Sequence, residues 1–320
     1  MQIAVIIVTW NASNLLPEVL EALSCQTLMP AKVLVIDNDS QDFPALFNVV
    51  ARYSFCELLG LQENVGFAAA NNIGIDRCAT FDCVALLNPD AVPKAEWLAC
   101  LARAANEYPD YASFSSCLID YTNPQLLDGA GDYLTLSGKP GRRGKGKYHQ
   151  DGLWQATEVF SSCAAAALYR RSAMLQVGGF DEDFFCYIED IDLGFRLRLA
   201  GYKARYVPGA VAHHVGSATT GGSHSDFSLY HGHRNLVWAF VKNMPSVLLC
   251  LLLPLHVVMN LISILWFGLQ GRGRVIWRAK RDAVLGLPKM WRKRRTIQST
   301  RIATVREIWR LMNKQIIPTG

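Results

Sequence analysis

The sequence predicts an α/β fold, a doubly wound sheet followed by a helical, membrane-associating C-terminal region. Two patterns predict it. Short β-branched runs alternate with helical apolar periods over the first ninety residues, the order expected of βαβ units. Farther on, a long uncharged apolar run is followed by a concentration of basic charge. A chain of 320 residues is long enough to bury one large α/β domain and carry a smaller appendage.

The elements follow in order. Ile3–Val8 is a continuous apolar run, as in a strand buried on both faces of a parallel sheet. It begins almost at Met1 with no basic segment before it, so it is not expected to be a signal peptide. Leu15, Leu16, Val19, Leu20 and Leu23 give Asn14–Ser24 a helical period. Val33–Ile36 reads as a second strand, Pro44–Tyr53 as a helix, Cys56–Leu61 as a third strand, Gly66–Arg77 as a helix, and Val84–Leu87 as a fourth strand. Residues 128–152 are rich in Gly, Lys and Arg and predict a hairpin followed by a mobile loop, 138–147, that orders over a substrate or simply lies on the surface. Ser161–Tyr169 reads as a buried strand and Ile191–Ala200 as an amphipathic helix stopped by Gly201. Arg205–Val207 and Val211–His213 read as short closing strands.

From Asn243 to Gly271 no Lys, Arg, Asp or Glu occurs. Val247–Leu269 is long enough to cross a bilayer, but Pro254, His256 and Asn260 interrupt it. Beyond it, residues 271–320 hold fourteen Lys/Arg against Asp282 and Glu307, while residues 1–270 carry 18 basic and 25 acidic side chains, a net of −7. A single crossing would place this basic tail and the acidic body on opposite sides of the membrane. A re-entrant or interfacial helix pair broken at Pro254, with the tail on an anionic membrane surface, fits both; a core helix packed on the domain is the simpler alternative. Adjacency to the apolar run argues for lipid and against nucleic acid. The expected division is 1–242 and 243–320. Nine scattered cysteines with no C-x-x-C indicate a reducing compartment.

Polar clusters follow the strands. Thr9-Trp10-Asn11 and Asp37-Asn38-Asp39-Ser40 come first; a carboxylate in the second can accept from a pyrimidine N–H or a ribose hydroxyl, though both read equally as capped turns. Asn88-Pro89-Asp90 offers Asp90 as a ligand for a hard divalent cation whose shell phosphates complete. Glu189-Asp190-Ile191-Asp192 opens a helix, where the dipole favours carboxylates and Asp192 can pair with Arg196. Three carboxylates in four positions repel one another, and that crowding suits a general base. His213 or His214 can bind metal or serve as an ordinary polar residue.

As an ordered set, VIIVTWN (5–11), VIDNDSQD (35–42), ENVGFAAANNIG (63–74), LLNPDAVP (86–93), GGFDEDFFCYIEDIDLGFRLRLAGY (178–202) and HHVGSAT (213–219) resemble the family 2 inverting glycosyltransferases, and most of all their rhamnosyltransferase-like branch. The resemblance covers residues 3–242. It implies a GT-A fold, a nucleotide-diphospho-sugar donor (dTDP- or UDP-linked, with rhamnose the first expectation), and Mg²⁺ or Mn²⁺. It implies that Thr9, Asn11 and Asp37 contact the nucleoside, and that Asn64, Gly66, Phe67, Asn71 and Asn88 line the donor site. Asn88 stands where the family often has the first Asp of Asp-x-Asp, leaving Asp90 as the main metal ligand beside His214. Asp190 matches the catalytic base, with Glu189, Asp192 and His213 in support, and Arg234 of YHGHRN matches a diphosphate contact. The expectation is an enzyme of polysaccharide biosynthesis, acting on a glycan or polyprenyl-linked acceptor, peripheral or monotopic on the cytoplasmic face of a bacterial inner membrane. The alternatives are a sugar-nucleotide nucleotidyltransferase, which would show a basic Gly-rich loop soon after the first strand, and an inactive nucleotide-sugar-binding protein. No G-x-G-x-x-G follows a strand, which disfavours a dehydrogenase.

Overall fold

The computed structural model describes residues 1–149, 155–216 and 225–318. The chain opens with β1 (Ile3–Thr9), α1 (Leu16–Ser24), β2 (Lys32–Asp37), α2 (Phe43–Val50), β3 (Cys56–Gly60), α3 (Gly66–Arg77) and β4 (Cys83–Leu87). These strands are parallel, in the order β3–β2–β1–β4. Every residue of β1 is buried because both faces of the sheet are covered. Val5 and Ile7 meet α1 and α2 on one face, while Ala4, Ile6 and Val8 meet α3 on the other. Chain direction places the carboxyl ends of β1, β2 and β4 along one edge, where α/β sheets bind ligands.

Next come β5 (Ala91–Pro93), α4 (Trp97–Glu107), β6 (Tyr111–Asp120), β7 (Leu127–Gly129), β8 (Asp132–Leu134), β9 (Pro140–Arg142), β10 (Thr157–Val159), β11 (Ala166–Arg170), α5 (Arg171–Gln176), α6 (Glu189–Leu199) and β12 (Lys203–His214). The sheet continues β4–β11–β6–β12–β10, with β11 antiparallel to both of its neighbours and β12 parallel to β6. The parallel array is thus one half of a mixed sheet.

Several expectations need correction here. The strand expected over 161–169 is confined to Ala166–Arg170. The two closing strands are one, β12, whose register with β6 shifts between Val207 and Val211; Pro208 cannot donate to a ladder, and the irregularity accommodates it. The helix after Asp190 is not amphipathic: every residue from Ile191 to Leu199 is buried, since α6 lies between the sheet and the C-terminal helices. Residues 138–147 form no free loop. β8 and β9 make a hairpin, and the turn beyond is tied down by Arg143 N to Gly131 O, Ala130 N to Arg143 O and Leu127 N to Lys147 O, each 2.8–2.9 Å. Residues 150–152 of that stretch lie outside the described residues.

The C-terminal part is helical: α7 (Asp226–Asn243), α8 (Ser246–Leu269), α9 (Gly273–Ser299) and α10 (Val305–Leu311). No break occurs at Pro254. α8 is one helix that passes through the proline, because Leu248, Leu249, Leu252 and His256 dock it on the domain and outweigh one lost hydrogen bond. The polar interruptions in the apolar run mark this docked face: His256 Nδ1 meets Ser137 O at 2.7 Å, and Asn260 Oδ1 accepts from Lys280. The basic tail is for the most part the helix α9, and some of its charge is spent internally. Arg294 bonds the carbonyls of Val241 and Met244, and Lys293 pairs with Asp181 and Asp183. The opposite side of α8 exposes Val247, Leu251, Leu261, Leu265, Trp266 and Leu269, and α9 adds Trp277, Val284 and Leu285.

Candidate active site at the carboxyl edge of the sheet

Backbone pairing places the first two residues. β5 runs antiparallel to β12 with Ala91 opposite His214, and Val215 N donates to Asp90 O at 3.0 Å. Asp90 and His214 are therefore neighbours although 124 residues separate them in the chain. Both are buried, and His214 Nε2 lies 3.5 Å from Asp90 Oδ1. On its other side, His214 Nδ1 is 2.7 Å from Asp128 Oδ2, and Asp128 is held by Arg142 and, at 3.2 Å, by Lys145. Burial opposes the Asp128 charge, but Arg142, His214 and Lys145 outweigh it and hold its carboxyl far below the ordinary range. Burial likewise works to lower the pKa of His214, and its hydrogen bonds with Asp128 and Asp90 outweigh that, leaving it raised.

Asp190 reaches the same place by another route. Its Oδ1 accepts from Ile191 N at 2.8 Å and its Oδ2 from Ala164 N at 3.3 Å. The adjacent carbonyl, Ala165 O, accepts from Asn88 N at 2.8 Å, two residues before Asp90. Arg142 Nη2 meets Cys163 Sγ at 3.1 Å, one residue before Ala164. The contacts close a ring: Asp190, the 163–165 segment, Arg142, Asp128, His214, Asp90, Asn88 and back to Ala165. Asp190 is half-buried and open to a substrate, whereas Glu189 is buried. Burial first, then the charges of Asp190 and Asp192, push the Glu189 pKa well up. Asp132 is pushed up to about 8 by burial and by the charge of Asp190.

A second group gathers at the ends of β1 and β2. Thr9 and Asp37 are opposite each other in the ladder, and Asn38 N donates to Thr9 O. Asn11, at φ 50°, accepts from Gln41 N through Oδ1. Asn38 fixes Asn64 through Nδ2 and Val65 N through Oδ1. Thr9 Oγ1 and Asp37 Oδ1 are buried and make no hydrogen bond among the described residues. An unpaired buried polar atom costs about 1–3 kcal/mol, and here two lie on neighbouring strands at the edge where α/β sheets bind ligands. Gly66, at φ +84°, carries no side chain for good reason: a Cβ there would stand 2.5 Å from the Phe185 ring. Ala68 N donates to Phe185 O at 3.1 Å, joining this group to the loop before Asp190.

The remaining expected residues sit elsewhere. Phe67 packs into the core edge-on to Phe180, and Asn71 is buried with Nδ2 on Phe67 O. Asp192 is fully buried on Arg196 and Lys242, each within 2.8 Å. His213 faces away from His214, as successive strand residues must, toward Glu18 and Lys94, and burial lowers its pKa first of all. Arg234 donates to the carbonyls of Asp183 and Phe184. The sequence reading missed Asp128, Arg142 and Asn235. Asn235 Nδ2 lies 2.8–2.9 Å from the carbonyls of Phe184, Cys186 and Tyr187, holding a loop in which Phe185, Tyr187 and Ile188 all have positive φ. Its place in YHGHRN was the available signal.

Asp90 and His214 are the pair that could offer a cation two of its ligands. Among the described residues no cluster of three or more His, Cys, Asp or Glu could enclose a metal. Asp90 and His214 supply one oxygen and one nitrogen, and a hydrogen-bonded His with its second nitrogen turned to a carboxylate is the usual metal-ligand arrangement.

Residues 4–178 match the model of glycosyl transferase family 2, and residues 146–270 that of glycosyl transferase family group 2. Over 248 residues the chain is 31% identical to the N-acetylglucosaminyl-diphospho-decaprenol L-rhamnosyltransferase of Mycobacterium tuberculosis, covering 71% of this chain and 80% of that one. It is 29% identical over 227 residues to rhamnosyltransferase WbbL of Escherichia coli K12, covering 66% and 82%. Among solved structures, the Pyrobaculum calidifontis mannosyltransferase PcManGT, in complex with GDP-Man and Mn²⁺, superposes with a TM-score of 0.57 at 18% identity, over 96% of this chain and 86% of that one. GalNAc-T7 with UDP, GalNAc and Mn²⁺ gives 0.62 at 13%, over 77% and 48%. At these identities the structures establish the GT-A fold.

Proposed function

The chain belongs to glycosyl transferase family 2, and on that premise we propose that it is an inverting, metal-assisted transferase moving a sugar from a nucleoside-diphosphate donor to a hydroxyl of a lipid-linked glycan. The observation that carries the proposal is the ring of contacts joining Asp90, His214 and Asp190. In this reading Thr9 and Asp37 take the nucleoside through their unpaired oxygens. Asp190 removes the proton from the acceptor hydroxyl as it attacks the anomeric carbon from the face opposite the leaving group, which inverts the centre. Asp90 and His214 would hold Mg²⁺ or Mn²⁺, which, when bound, neutralises charge on the departing diphosphate. Asp128 fixes the ring of His214, and Asn235 holds the loop that presents Asp190.

Rhamnose is the proposed sugar, supported by two relatives named for rhamnosyl transfer. A panel of dTDP- and UDP-sugars, scored by nucleoside-diphosphate release with and without Mn²⁺, tests this. We expect release that needs the metal and is fastest with dTDP-rhamnose. Formation of nucleoside triphosphate and sugar 1-phosphate on addition of pyrophosphate would instead identify a nucleotidyltransferase.

The proposed location is the cytoplasmic face of a membrane, where nucleotide sugars are made. α8 meets the length and hydropathy of a membrane span, yet one side of it is docked on the domain, which favours a helix lying in the interface. The protein is expected to sediment with anionic vesicles. L265E combined with W266E, both on the exposed side, should weaken that partition about tenfold or more, since each exchanges apolar area for charge. Unchanged sedimentation would contradict an interfacial α8.

A further inference from the structure

The hairpin β8–β9 and the turn after it carry five cations in nine residues, Lys139, Arg142, Arg143, Lys145 and Lys147, with no carboxylate among them. Asp128 pairs with two, Arg142 and Lys145, while Lys139, Lys145 and Lys147 are exposed. Such a concentration favours an anionic ligand. The segment is not a floppy tether. Its backbone bonds to Leu127, Ala130 and Gly131 fix where the cations stand.

The hairpin also touches two places that matter. At its tip, Ser137 O meets His256 of α8 at 2.7 Å and Gly138 packs on Phe240, so one end is anchored to the helix that faces lipid. At its other end Arg142 and Lys145 grip Asp128. Asp128 divides its oxygens: Oδ2 serves His214 and Arg142, and Oδ1 serves Lys145. Lys145 therefore stands on the side of Asp128 away from the cation pair that would receive the donor's diphosphate.

From this juxtaposition we propose that the hairpin is the binding site for the diphosphate of a lipid-linked acceptor. The lipid chain runs toward the exposed side of α8, and the acceptor sugar is directed to Asp190. The inference rests on the functional reading above and extends it to the acceptor's charged group. A diphosphate offers two adjacent anionic centres, and the exposed lysines along this segment offer cations at points that its backbone bonds fix.

The test uses the full-length protein carrying K139Q and K147Q together, which leaves Lys145 on Asp128, with circular dichroism and the thermal midpoint as folding controls. Two acceptors bearing the same sugar are compared, one on a polyprenyl diphosphate and one on an uncharged alkyl chain. The proposal expects the wild type to prefer the diphosphate acceptor. It expects the double variant to raise KM for that acceptor about tenfold or more, with less than a twofold change for the alkyl glycoside and for the donor. A rise in donor KM instead would assign the lysines to the donor's diphosphate and overturn the proposal. Equal losses on both acceptors, or a wild type that does not distinguish them, would overturn it too. Loss confined to vesicle binding would assign the lysines to lipid headgroups. A wild type that hydrolyses donor yet glycosylates neither acceptor would sink the transferase reading itself, and this site with it.

Discussion

Replacing Asp190 with Asn is expected to lower transfer by about 10²- to 10⁴-fold, the range by which a positioned base accelerates proton removal, while donor affinity changes little. The amide keeps the shape of the carboxylate. Its one oxygen can keep the 2.8 Å bond from Ile191 N, so the start of α6 should hold, and only the longer 3.3 Å bond from Ala164 N is given up. It cannot take a proton. Measured as single-turnover transfer alongside donor binding by titration, the variant should separate the two quantities. Turnover within tenfold of wild type would remove Asp190 from the role of base and leave it a helix-capping carboxylate.

The second large effect is expected at the buried pair. His214→Gln and Asp90→Asn should each lower transfer by about 10²- to 10³-fold, as removal of one stabiliser of developing charge does elsewhere, and should raise the Mn²⁺ concentration needed for half-maximal rate. His214 is buried against Asp128, so His214→Ala would leave that carboxylate without its partner and can unfold the region. Gln preserves a donor to Asp128, and Asp90→Asn leaves the His214–Asp128 bond untouched. If both variants retain metal dependence with wild-type midpoints, the cation lies elsewhere.

These effects concern residues that the sequence had already pointed to, and it is instructive where its legibility ended. β1, β2 and β4 were plain because each is an apolar run buried on both faces, and β3, at the sheet edge, kept enough leucine to be seen. β6 was not, because Tyr111–Asp120 is rich in serine and reads as polar. In the fold Ser116 accepts from Trp97 Nε1 and Ser113 pairs with Ser162, so buried hydroxyls are satisfied by partners that the sequence does not display. β5 and β7 are three residues long, too short for any period, yet β5 is what sets Asp90 beside His214.

The motif residues Asp90, Asp190 and His214 were found by order and context. Asp128 was not, since its partner His214 is 86 residues away and its surroundings are Gly-rich. Asn235 was quoted within a motif but not assigned, because its three carbonyl partners lie 48 to 51 residues back. Pattern and charge located the C-terminal region, but only the docking of Leu252 and His256 explains why α8 continues through Pro254.

The most direct test of the convergence of Asp90, His214 and Asp190 is the electron spin-echo spectrum of Mn²⁺ bound with a nucleotide-sugar donor to the intact protein. It should contain nitrogen modulation from one imidazole, present in the wild type and in D190N and absent in His214→Gln. A donor-dependent Mn²⁺ signal with no imidazole modulation, or one that His214→Gln leaves unchanged, would place the metal away from this ring of residues and contradict the site.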